Sequence, residues 1–297
     1  MLGGALLAAL LLATAAVAAP ARFEDRYAVN DGVRLHYTAA GKGPLVVMLH
    51  GFPEYWGFYR GLMGELDGGY RVAAVDLRGY NLSDKPQGVE AYAFDKLIGD
   101  VAAVIKAEGR TSAIVIGHDW GAAIAWRVAM DRPELVDRLV IMSVPHPVGF
   151  ARELATNPVQ QKNSQYARNF QVPGFEKNLN PEMLTARAPA AIKAEWTEAL
   201  KRTDFTAMLN YYRANYPKGV GDQIQPAPAS TAPIKVPVLV IHGIKDAALL
   251  AAGHSGTWEH VEADTTILMI PSAGHDVQHD AEALVDRTIH QWLDLRR

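Results

Sequence analysis

The chain has 297 residues, of which 49% are hydrophobic and 21% are charged, and its 29 Lys and Arg residues nearly balance 32 Asp and Glu residues. That length is sufficient for one large α/β domain with an insertion, or for two small domains. The formal net charge of -3 argues against nucleic-acid binding through phosphate neutralisation. Without cysteine, the chain cannot use a thiol nucleophile, a disulfide framework, an iron–sulfur cluster or a cysteine-ligated zinc site.

The segment 1–19 is apolar and predicts a cleaved signal peptide. Thr14 is its only polar side chain, Leu6–Val17 forms the hydrophobic region, and the small residues up to Ala18 are followed by Pro20. Cleavage predicts a periplasmic or secreted protein with no stable membrane association. The alternatives are an uncleaved membrane anchor and an Ala-rich helix within the fold.

After the leader, strand-like segments alternate with helical patterns, which predicts a mostly parallel sheet covered by helices. The turn signal Asn30-Asp31-Gly32 predicts an antiparallel hairpin at one edge of that sheet. In chain order we expect the hairpin strands Phe23–Ala28 and Val33–Thr38, the buried strands Leu45–Leu49, Val72–Asp76, Ala113–Gly117 and Leu139–Val144, and the helices Phe94–Glu108 and Gly121–Asp131.

The alternation stops between residues 146 and 233, where helical pieces occur without a convincing strand. Helices are expected at Ala190–Arg202 and Asp204–Asn215, and the run Pro226, Pro228, Ser230 and Pro233 resembles a linker. The predicted domains are therefore an α/β core (20–145), an inserted helical cap (146–233) and the rest of the core (234–297). The last part is expected to hold the strands Val236–His242 and Thr265–Ile270 and a closing helix, Ala281–Leu295.

The segment after the strand Ala113–Gly117 predicts a nucleophile elbow. It has the sequence Gly117-His118-Asp119-Trp120-Gly121, with small residues at both ends, as needed where a strand turns sharply into a helix and lifts the central residue above the sheet. An Asp carboxylate, with a reference pKa of about 3.9, is ionised at neutral pH and needs no base to attack an electrophilic carbon. The alternative is that Asp119 only caps the next helix.

These motifs resemble those of the α/β-hydrolase epoxide hydrolases. The elbow Gly117-His118-Asp119-Trp120-Gly121-Ala122 and the segment His50-Gly51-Phe52-Pro53, followed by Glu54-Tyr55-Trp56, are both typical of that family. The resemblance continues through Asp76-Leu77-Arg78-Gly79-Tyr80, Ser83-Asp84 and Pro145-His146-Pro147. It covers essentially the whole chain after the leader and implies an α/β-hydrolase fold: a mostly parallel sheet flanked by helices, with an all-helical cap.

The resemblance also implies a catalytic triad. Asp119 would be the nucleophile, His275 the general base, and Asp246 the acid that orients the histidine, in the chain order usual for α/β-hydrolases. Backbone N–H groups of Phe52 and Trp120 would form the oxyanion hole.

Two cap tyrosines are implied as donors to the epoxide oxygen. Tyr166 and Tyr212 match the family's positions, and a phenol with a pKa near 10 stays protonated at neutral pH yet can assist a forming alkoxide. Packing of aromatic side chains is the alternative role for either residue. For the neighbouring Tyr211 we expect packing alone.

We expect structural roles for most of the other histidines that lie in or near these motifs. The segment His275-Asp276-Val277-Gln278-His279 is similar to a zinc-binding HExxH helix, but no third ligand is evident, and neither a metal nor a cofactor is expected. His50 and His118 are expected to be packed and hydrogen-bonded. His146 is expected either to line the substrate pocket or to hold the cap junction, and the segment 253–257 to be a helix or loop rather than a serine elbow.

The resemblance predicts hydrolysis of an epoxide to a vicinal diol through a covalent ester on Asp119, with the epoxide and water as partners. One alternative is haloalkane dehalogenase, although Phe52 offers a halide no side-chain donor and a tyrosine pair suits an oxygen leaving group. The other is an exported binding or host-interaction protein without catalysis. Asp276 departs from the family, which more often has an aromatic residue there. Neither the particular epoxide nor the oligomeric state follows from the sequence.

Overall fold

The computed structural model describes residues 23–186, 188–218, 223 and 232–296. The predicted leader lies outside these residues, as does most of the predicted linker before Pro233. No helix in the described ranges has the length and apolar character needed to cross a membrane.

Eight strands form one sheet in the described part of the chain, and all except β2 run in the same direction. In space the order is β1-β2-β4-β3-β5-β6-β7-β8. The strands are β1 (Glu24–Asn30), β2 (Val33–Gly41), β3 (Leu45–Leu49), β4 (Arg71–Val75), β5 (Ala113–His118), β6 (Val136–Met142), β7 (Val238–Gly243) and β8 (Thr265–Ile270).

The predicted edge hairpin is confirmed. β1 pairs antiparallel with β2, so that Asn30 lies opposite Val33. The turn between them needs positive φ angles, which Asp31 (48°) and Gly32 (79°) adopt. β2 then pairs antiparallel with β4, which joins the hairpin to the parallel part of the sheet.

Helices cover both faces of the sheet because its central strands are apolar on both sides. In β3, for example, Val47 and Leu49 pack into the layer on one face, whereas Val46 and Met48 pack into the layer on the other. Outside the insertion the helices are α1 (Arg60–Leu66), α2 (Phe94–Ala107), α3 (Trp120–Asp131), α10 (Val277–Asp280) and α11 (Glu282–Asp294). α2 and α3 cover the first face, and α1 and α11 cover the second.

Between β6 and residue 218, the regular elements of the described chain are all helices, joined by loops. The α-helices among them are α4 (Pro147–Thr156), α5 (Pro158–Asn163), α6 (Gln165–Gln171), α7 (Pro181–Leu184), α8 (Ala190–Lys201) and α9 (Phe205–Asn215). Several of them contact the core directly: the Trp196 indole in α8, for instance, donates to the Pro53 carbonyl over 3.0 Å. These helices therefore form a layer on the core, as expected for a cap.

Two strands match their predicted bounds, 45–49 and 265–270, and the other six differ by up to three residues at an end. Two of these shifts have local reasons. β6 ends at Met142 rather than Val144 because Ser143 has a φ of 67°, which is incompatible with an extended strand. β7 begins at Val238 rather than Val236, directly after Pro237, which has no N–H group to donate to a neighbouring strand.

Candidate active site

Asp119 lies at a sharp turn between β5 and α3, as the elbow motif predicts. Its φ of 48° and ψ of -120° belong to neither a strand nor a helix. The flanking glycines make this turn possible, because a Cβ on Gly117 would overlap the Gly121 carbonyl and a Cβ on Gly121 would overlap the Leu49 carbonyl. The turn places the Asp119 carboxylate at the carboxyl end of the central strands, where open α/β sheets bind ligands.

The three residues of the predicted triad lie within contact distance of one another. His275 Nδ1 is 2.7 Å from Asp246 Oδ2, and His275 Nε2 is 3.4 Å from Asp119 Oδ2. All three follow parallel strands: Asp119 follows β5, Asp246 the end of β7, and His275 the end of β8. The carboxyl ends of parallel strands lie at one edge of the sheet and thus bring together residues far apart in the chain.

Asp246 is held by the loop that it begins. The backbone N–H groups of Ala248 and Leu249 donate to Asp246 Oδ1 over 2.7 and 2.9 Å, which leaves Oδ2 to accept the His275 Nδ1–H. Burial by itself would raise the pKa of Asp246, but the contact with His275 and these backbone donors lower it below its ordinary value.

The electrostatics of the triad keep both carboxylates ionised. Burial would raise the pKa of Asp119, yet the hydrogen bond and charge of His275 outweigh it, aided by His118 and the Phe52 N–H, so the pKa is lowered. Burial would lower the pKa of His275, but the two carboxylates raise it well above its ordinary value. In the resting site, therefore, Asp119 is an ionised nucleophile beside an imidazolium.

One of the two predicted oxyanion donors already contacts the nucleophile. The Phe52 N–H donates to Asp119 Oδ1 over 2.8 Å. Trp120 is the first residue of α3, so no carbonyl of that helix accepts its backbone N–H. Both N–H groups adjoin the carboxylate whose oxygen would carry negative charge in an acyl intermediate.

Beneath the triad lies a buried polar network that the sequence interpretation missed. His118 Nδ1 contacts the Glu54 carboxylate at 3.1 Å, and its Nε2 lies 3.0 Å from the His275 carbonyl oxygen. Ser143 Oγ donates to the same carbonyl over 2.5 Å, and Gln278 Nε2 donates to Glu54 over 3.0 Å. Burial opposes the charge on His118, but Glu54 outweighs it and raises the pKa. The network fixes the backbone of the predicted base.

A cavity of about 470 Å³ opens above Asp119, between the core and the cap helices. Its wall is largely apolar, as is usual for pockets that bind small organic molecules. The residues that line it on the core side include Phe94, Asp119, Trp120, Ala123, Trp126, Val144 and Leu249; those from the insertion include Pro147, Val148, Phe150, Tyr166, Tyr212 and Tyr216.

Tyr166 and Tyr212 both reach this cavity, on α6 and α9. Their ring centroids lie 6.2 Å apart, and the Tyr212 ring packs edge-on against the Trp120 indole with the centroids 4.9 Å apart. Burial raises the pKa of both phenols well above 10, and the nearby Asp119 charge raises that of Tyr212 further. Both phenols are therefore hydrogen-bond donors at neutral pH. Tyr216, one helical turn beyond Tyr212, also contributes its ring to the wall and had no sequence signal.

The other aromatic and histidine side chains singled out in the sequence lie outside the reacting centre. Tyr211 is buried and donates its hydroxyl to the Arg78 carbonyl over 2.8 Å, which agrees with a packing role. His146 is not among the lining residues of the cavity: its ring stacks on His260 at 4.4 Å, and its Nδ1 accepts from the Val148 N–H at the start of α4. Of the two roles considered for His146, the structure favours the cap junction. His50 is fully buried and contacts the Gly51 carbonyl at 2.8 Å.

Within the described residues, the ligand atoms of His118, His275 and Asp276 approach one another closely enough to consider a metal. The ring nitrogens of both histidines already have protein partners, however: Glu54 and the His275 carbonyl for His118, and Asp119 and Asp246 for His275. Metal binding there would have to displace the triad contacts. His279, the second histidine of the HExxH-like segment, packs instead against the Phe58 ring at 4.7 Å.

Comparison with known proteins agrees with the family resemblance found in the sequence. The model of the alpha/beta hydrolase fold family matches residues 44–282. The AB hydrolase superfamily protein YfhM of Bacillus subtilis (strain 168) is 35% identical over 281 residues, covering 89% of this chain and 96% of YfhM. Epoxide hydrolase 3 of Xenopus tropicalis is 32% identical over 290 residues, covering 89% of this chain and 76% of that protein.

A solved structure shows the same relationship in three dimensions. The crystal structure of Bacillus megaterium epoxide hydrolase in complex with an inhibitor superposes with a TM-score of 0.81 at 32% identity, over 91% of this chain and 100% of that one. The chain therefore belongs to the epoxide hydrolase family of the α/β-hydrolase fold.

Proposed function

We propose that the protein hydrolyses epoxides to vicinal diols through a covalent ester on Asp119. The observation that carries this proposal is the alignment of an ionised Asp119 with His275 and Asp246, at the bottom of a cavity into which two protonated phenols project. No residue of this arrangement requires a cofactor for the reaction.

In the first step, Asp119 attacks an epoxide carbon and the bond from that carbon to the ring oxygen breaks. Oδ1 is held by the Phe52 N–H, so Oδ2 is the oxygen better placed to attack. The ring oxygen takes a proton from Tyr166 or Tyr212, whose raised pKa values keep both phenols protonated. The products of this step are the alkyl ester on Asp119 and the hydroxyl of the former ring oxygen.

In the second step, His275 removes a proton from water, and the resulting hydroxide attacks the carbonyl carbon of the ester. Loss of the Asp119 charge in the ester lowers the pKa of His275, so that the imidazolium gives its proton to the tyrosinate left by the first step and the neutral Nε2 can act as a base. Asp246 orients the ring and stabilises the imidazolium, while the Phe52 and Trp120 N–H groups bind the oxyanion. As the tetrahedral intermediate collapses, the proton of the re-formed Asp119 carboxyl passes to the leaving alkoxide, which departs as the diol. This regenerates the Asp119 carboxylate, and His275 keeps the proton taken from water, which restores the resting site.

Haloalkane dehalogenation, which would use the same nucleophile, is less well supported. A halide leaving group needs N–H donors rather than acids, and Phe52 supplies no side-chain donor. The two phenols in the cavity have an obvious role only when oxygen leaves. A non-catalytic binding role would give the aligned triad no function.

The covalent step can be tested with the variant His275→Gln, because removal of the base should allow the ester to form but not to hydrolyse. After incubation with a small epoxide, we expect its intact mass to increase by the mass of one epoxide, located on the peptide that contains Asp119. Asp119→Asn is the matched control and should remain unmodified. If the native protein produces diol while His275→Gln shows no adduct, the covalent mechanism is wrong.

Parallel assays on the native protein separate the candidate functions. Diol formation from epoxides, unaffected by EDTA, supports the proposal, whereas halide release from a haloalkane would support the dehalogenase. Turnover of neither substrate class would favour the binding protein.

We also propose that the protein is exported and that residues 1–19 are removed. The apolar run up to Ala18, followed by Pro20, supports this proposal. Expression of the full chain in a Gram-negative bacterium, followed by N-terminal sequencing of the periplasmic and extracellular fractions, should give a mature protein beginning near Pro20. An intact leader on membrane-bound protein would contradict the proposal.

A further inference from the structure

We propose that Gln160, a buried residue of cap helix α5, is a positioning residue that holds the Asp246 loop in the geometry needed for hydrolysis of the ester. The inference rests on the proposed function, since it concerns the acid of the proposed triad. It assigns to the cap a part in the second chemical step, beyond its contribution of the two phenols to the first.

The side-chain amide of Gln160 makes three hydrogen bonds. Its Nε2 donates to the Ala248 carbonyl over 2.7 Å and to Ser164 Oγ over 2.9 Å. Its Oε1 accepts from the Leu250 N–H over 2.8 Å. Both amide protons and the amide oxygen are thus used, and the residue is only 1% exposed. A buried amide with all its polar groups paired orders the segments it joins.

The segment it holds is the one that binds Asp246. The N–H groups of Ala248 and Leu249 fix Asp246 Oδ1, and Oδ2 contacts His275 Nδ1 at 2.7 Å. Gln160 contacts the residues on both sides of Leu249, so the peptide units that orient the acid are restrained from outside the core. A shift of this loop would turn the carboxylate away from the imidazole.

The same amide also contacts the part of the cap that carries a phenol. Ser164 is fully buried, lies one helical turn after Gln160, and precedes Tyr166 by two residues. Leu249, in the acid loop, lines the same cavity as Tyr166. Gln160 therefore couples the position of the acid loop to the position of the cap segment that leads into Tyr166.

A second cap residue contacts the same stretch of core, but farther from the acid. Arg152 in α4 donates to the carbonyls of Ala252 and Ser255 over 2.8 and 2.9 Å, in exposed contacts. Its hydrogen bonds to the core, among the described residues, are to this later stretch rather than to residues 248–250. Arg152→Met thus provides a control for loss of cap docking. Gln161→Leu provides a control for the same substitution at the neighbouring position of α5, where the amide donates to the Ala155 carbonyl instead.

The expected effect follows from the charges around His275. Its neighbours are Asp119, Asp246, His118, His242 and Asp276. In the ester Asp119 is neutral, which leaves Asp246 as the partner that sustains a high pKa of His275. Loosening Asp246 lowers this pKa and makes the imidazole a weaker base, so ester hydrolysis slows. The acid limb of its pH–rate profile, meaning the pH range in which the rate falls as His275 becomes protonated, moves to lower pH.

The test compares Gln160→Leu with Gln161→Leu and Arg152→Met in single-turnover experiments. Ester formation and ester hydrolysis are measured separately as a function of pH, by quenching and intact mass. For Gln160→Leu we expect hydrolysis to slow by at least about fivefold, with its acid limb displaced downward by about half a pH unit or more, so that ester accumulates. In both control variants, the acid limb of the pH–rate profile for ester hydrolysis should lie where it does in the native enzyme.

Should Gln160→Leu fold poorly, Gln160→Glu serves as an isosteric variant that keeps the acceptor for the Leu250 N–H and loses the N–H donors to the Ala248 carbonyl and to Ser164 Oγ. The inference is overturned if the rate of ester hydrolysis and the acid limb of its pH–rate profile match those of the native enzyme. It is also overturned if only KM and the rate of ester formation change, because a loss of cap docking would by itself produce such a change. Failure of the proposed function is recognised separately, since the native enzyme itself would then form neither ester nor diol.

Discussion

Asp119 differs from a serine nucleophile in needing no proton removed before it attacks. Its pKa is lowered by His275, which faces Oδ2 at 3.4 Å, so the carboxylate is ionised over the whole physiological range. His275 is therefore free to act later, on water. In the proposed mechanism, Asp119 attacks the epoxide without a base and His275 is needed only to activate water. A single imidazole, held by Asp246, is therefore sufficient for a reaction with two chemical steps.

Replacement of the phenols should separate their role from packing. We expect Tyr166→Phe and Tyr212→Phe each to lower kcat by about tenfold or more, and the double variant by about 100-fold or more, because a general acid to the leaving oxygen is lost. Steady-state diol formation measures this effect. Tyr211→Phe is the matched control on α9: it loses only the bond to the Arg78 carbonyl and should change stability by about 1 kcal/mol with little effect on kcat. Equal losses at Tyr211 and Tyr212 would contradict the assignment.

The two chemical steps should respond differently to pH. Ester formation needs ionised Asp119, whose pKa is lowered, and protonated phenols, whose pKa values are raised, so it should persist from acid to alkaline pH. Ester hydrolysis needs neutral His275, so its rate should fall as the pH decreases through the pKa that this imidazole has in the ester, where Asp246 is the remaining carboxylate partner. The fraction of enzyme present as ester at steady state, measured by intact mass, is therefore expected to increase toward acid pH. An ester fraction that does not vary with pH would argue against His275 as the base.

At the scale of single elements, the elbow depends on a glycine whose neighbours leave no room for a side chain. Gly121→Ala should lower the free energy of unfolding by about 2 kcal/mol or more, because its Cβ would overlap the backbone of Leu49. Gly64→Ala is the matched control in α1, where a Cβ meets nothing within 4 Å, and should stabilise the helix by about 0.5–1 kcal/mol. Urea denaturation of both variants measures the difference, and a similar effect of the two substitutions would contradict the steric argument.

The contact between α1 and α11 contains a carboxyl group whose ionisation is unfavourable. Burial raises the pKa of Asp286 to about 7, and the charges of Glu282 and Glu65 add to this effect. Because the folded state holds this proton more tightly than the unfolded state, the stability contributed by the protonated carboxyl is lost as the pH rises from about 4 to about 7.

Asp286→Asn removes this dependence. We expect the variant to be stabilised more at pH 8 than at pH 5, relative to the native protein, as measured by denaturant unfolding at both values. Asp137→Asn, at an exposed position in β6, is the control and should show no such difference. A stability gain for Asp286→Asn that is the same at both pH values would contradict the raised pKa.

At the scale of the whole molecule, the site is shared between core and cap. The core supplies the proposed nucleophile, base, acid and oxyanion donors at the carboxyl ends of parallel strands, and the insertion supplies both phenols and most of the far wall of the cavity. Neither part alone encloses the 470 Å³ above Asp119. The proposed role of Gln160 extends this dependence, because a cap side chain also restrains the acid of the core.

The amino-acid sequence by itself determined the features that depend on near neighbours. The turn at Asp31-Gly32, the elbow at Asp119 and the buried strands follow from backbone sterics and from local apolar patterns, so they could be predicted. Asp246 and His275 could be assigned because the family keeps them after particular strands. The boundary of β6 could not, because nothing in the pattern marks Ser143 as a residue with positive φ.

Only the tertiary structure decided which distant groups meet. The contact of Glu54 with His118, 64 positions apart, and that of Gln160 with Ala248, 88 positions apart, depend on strand order and on how the cap packs, and neither leaves a periodic signal in the chain. The same holds for His146, whose stacking on His260 follows from the path of the chain after β7. Local chemistry thus identifies the reacting groups, whereas long-range packing positions them, because buried polar groups are satisfied by whichever partners the fold brings near.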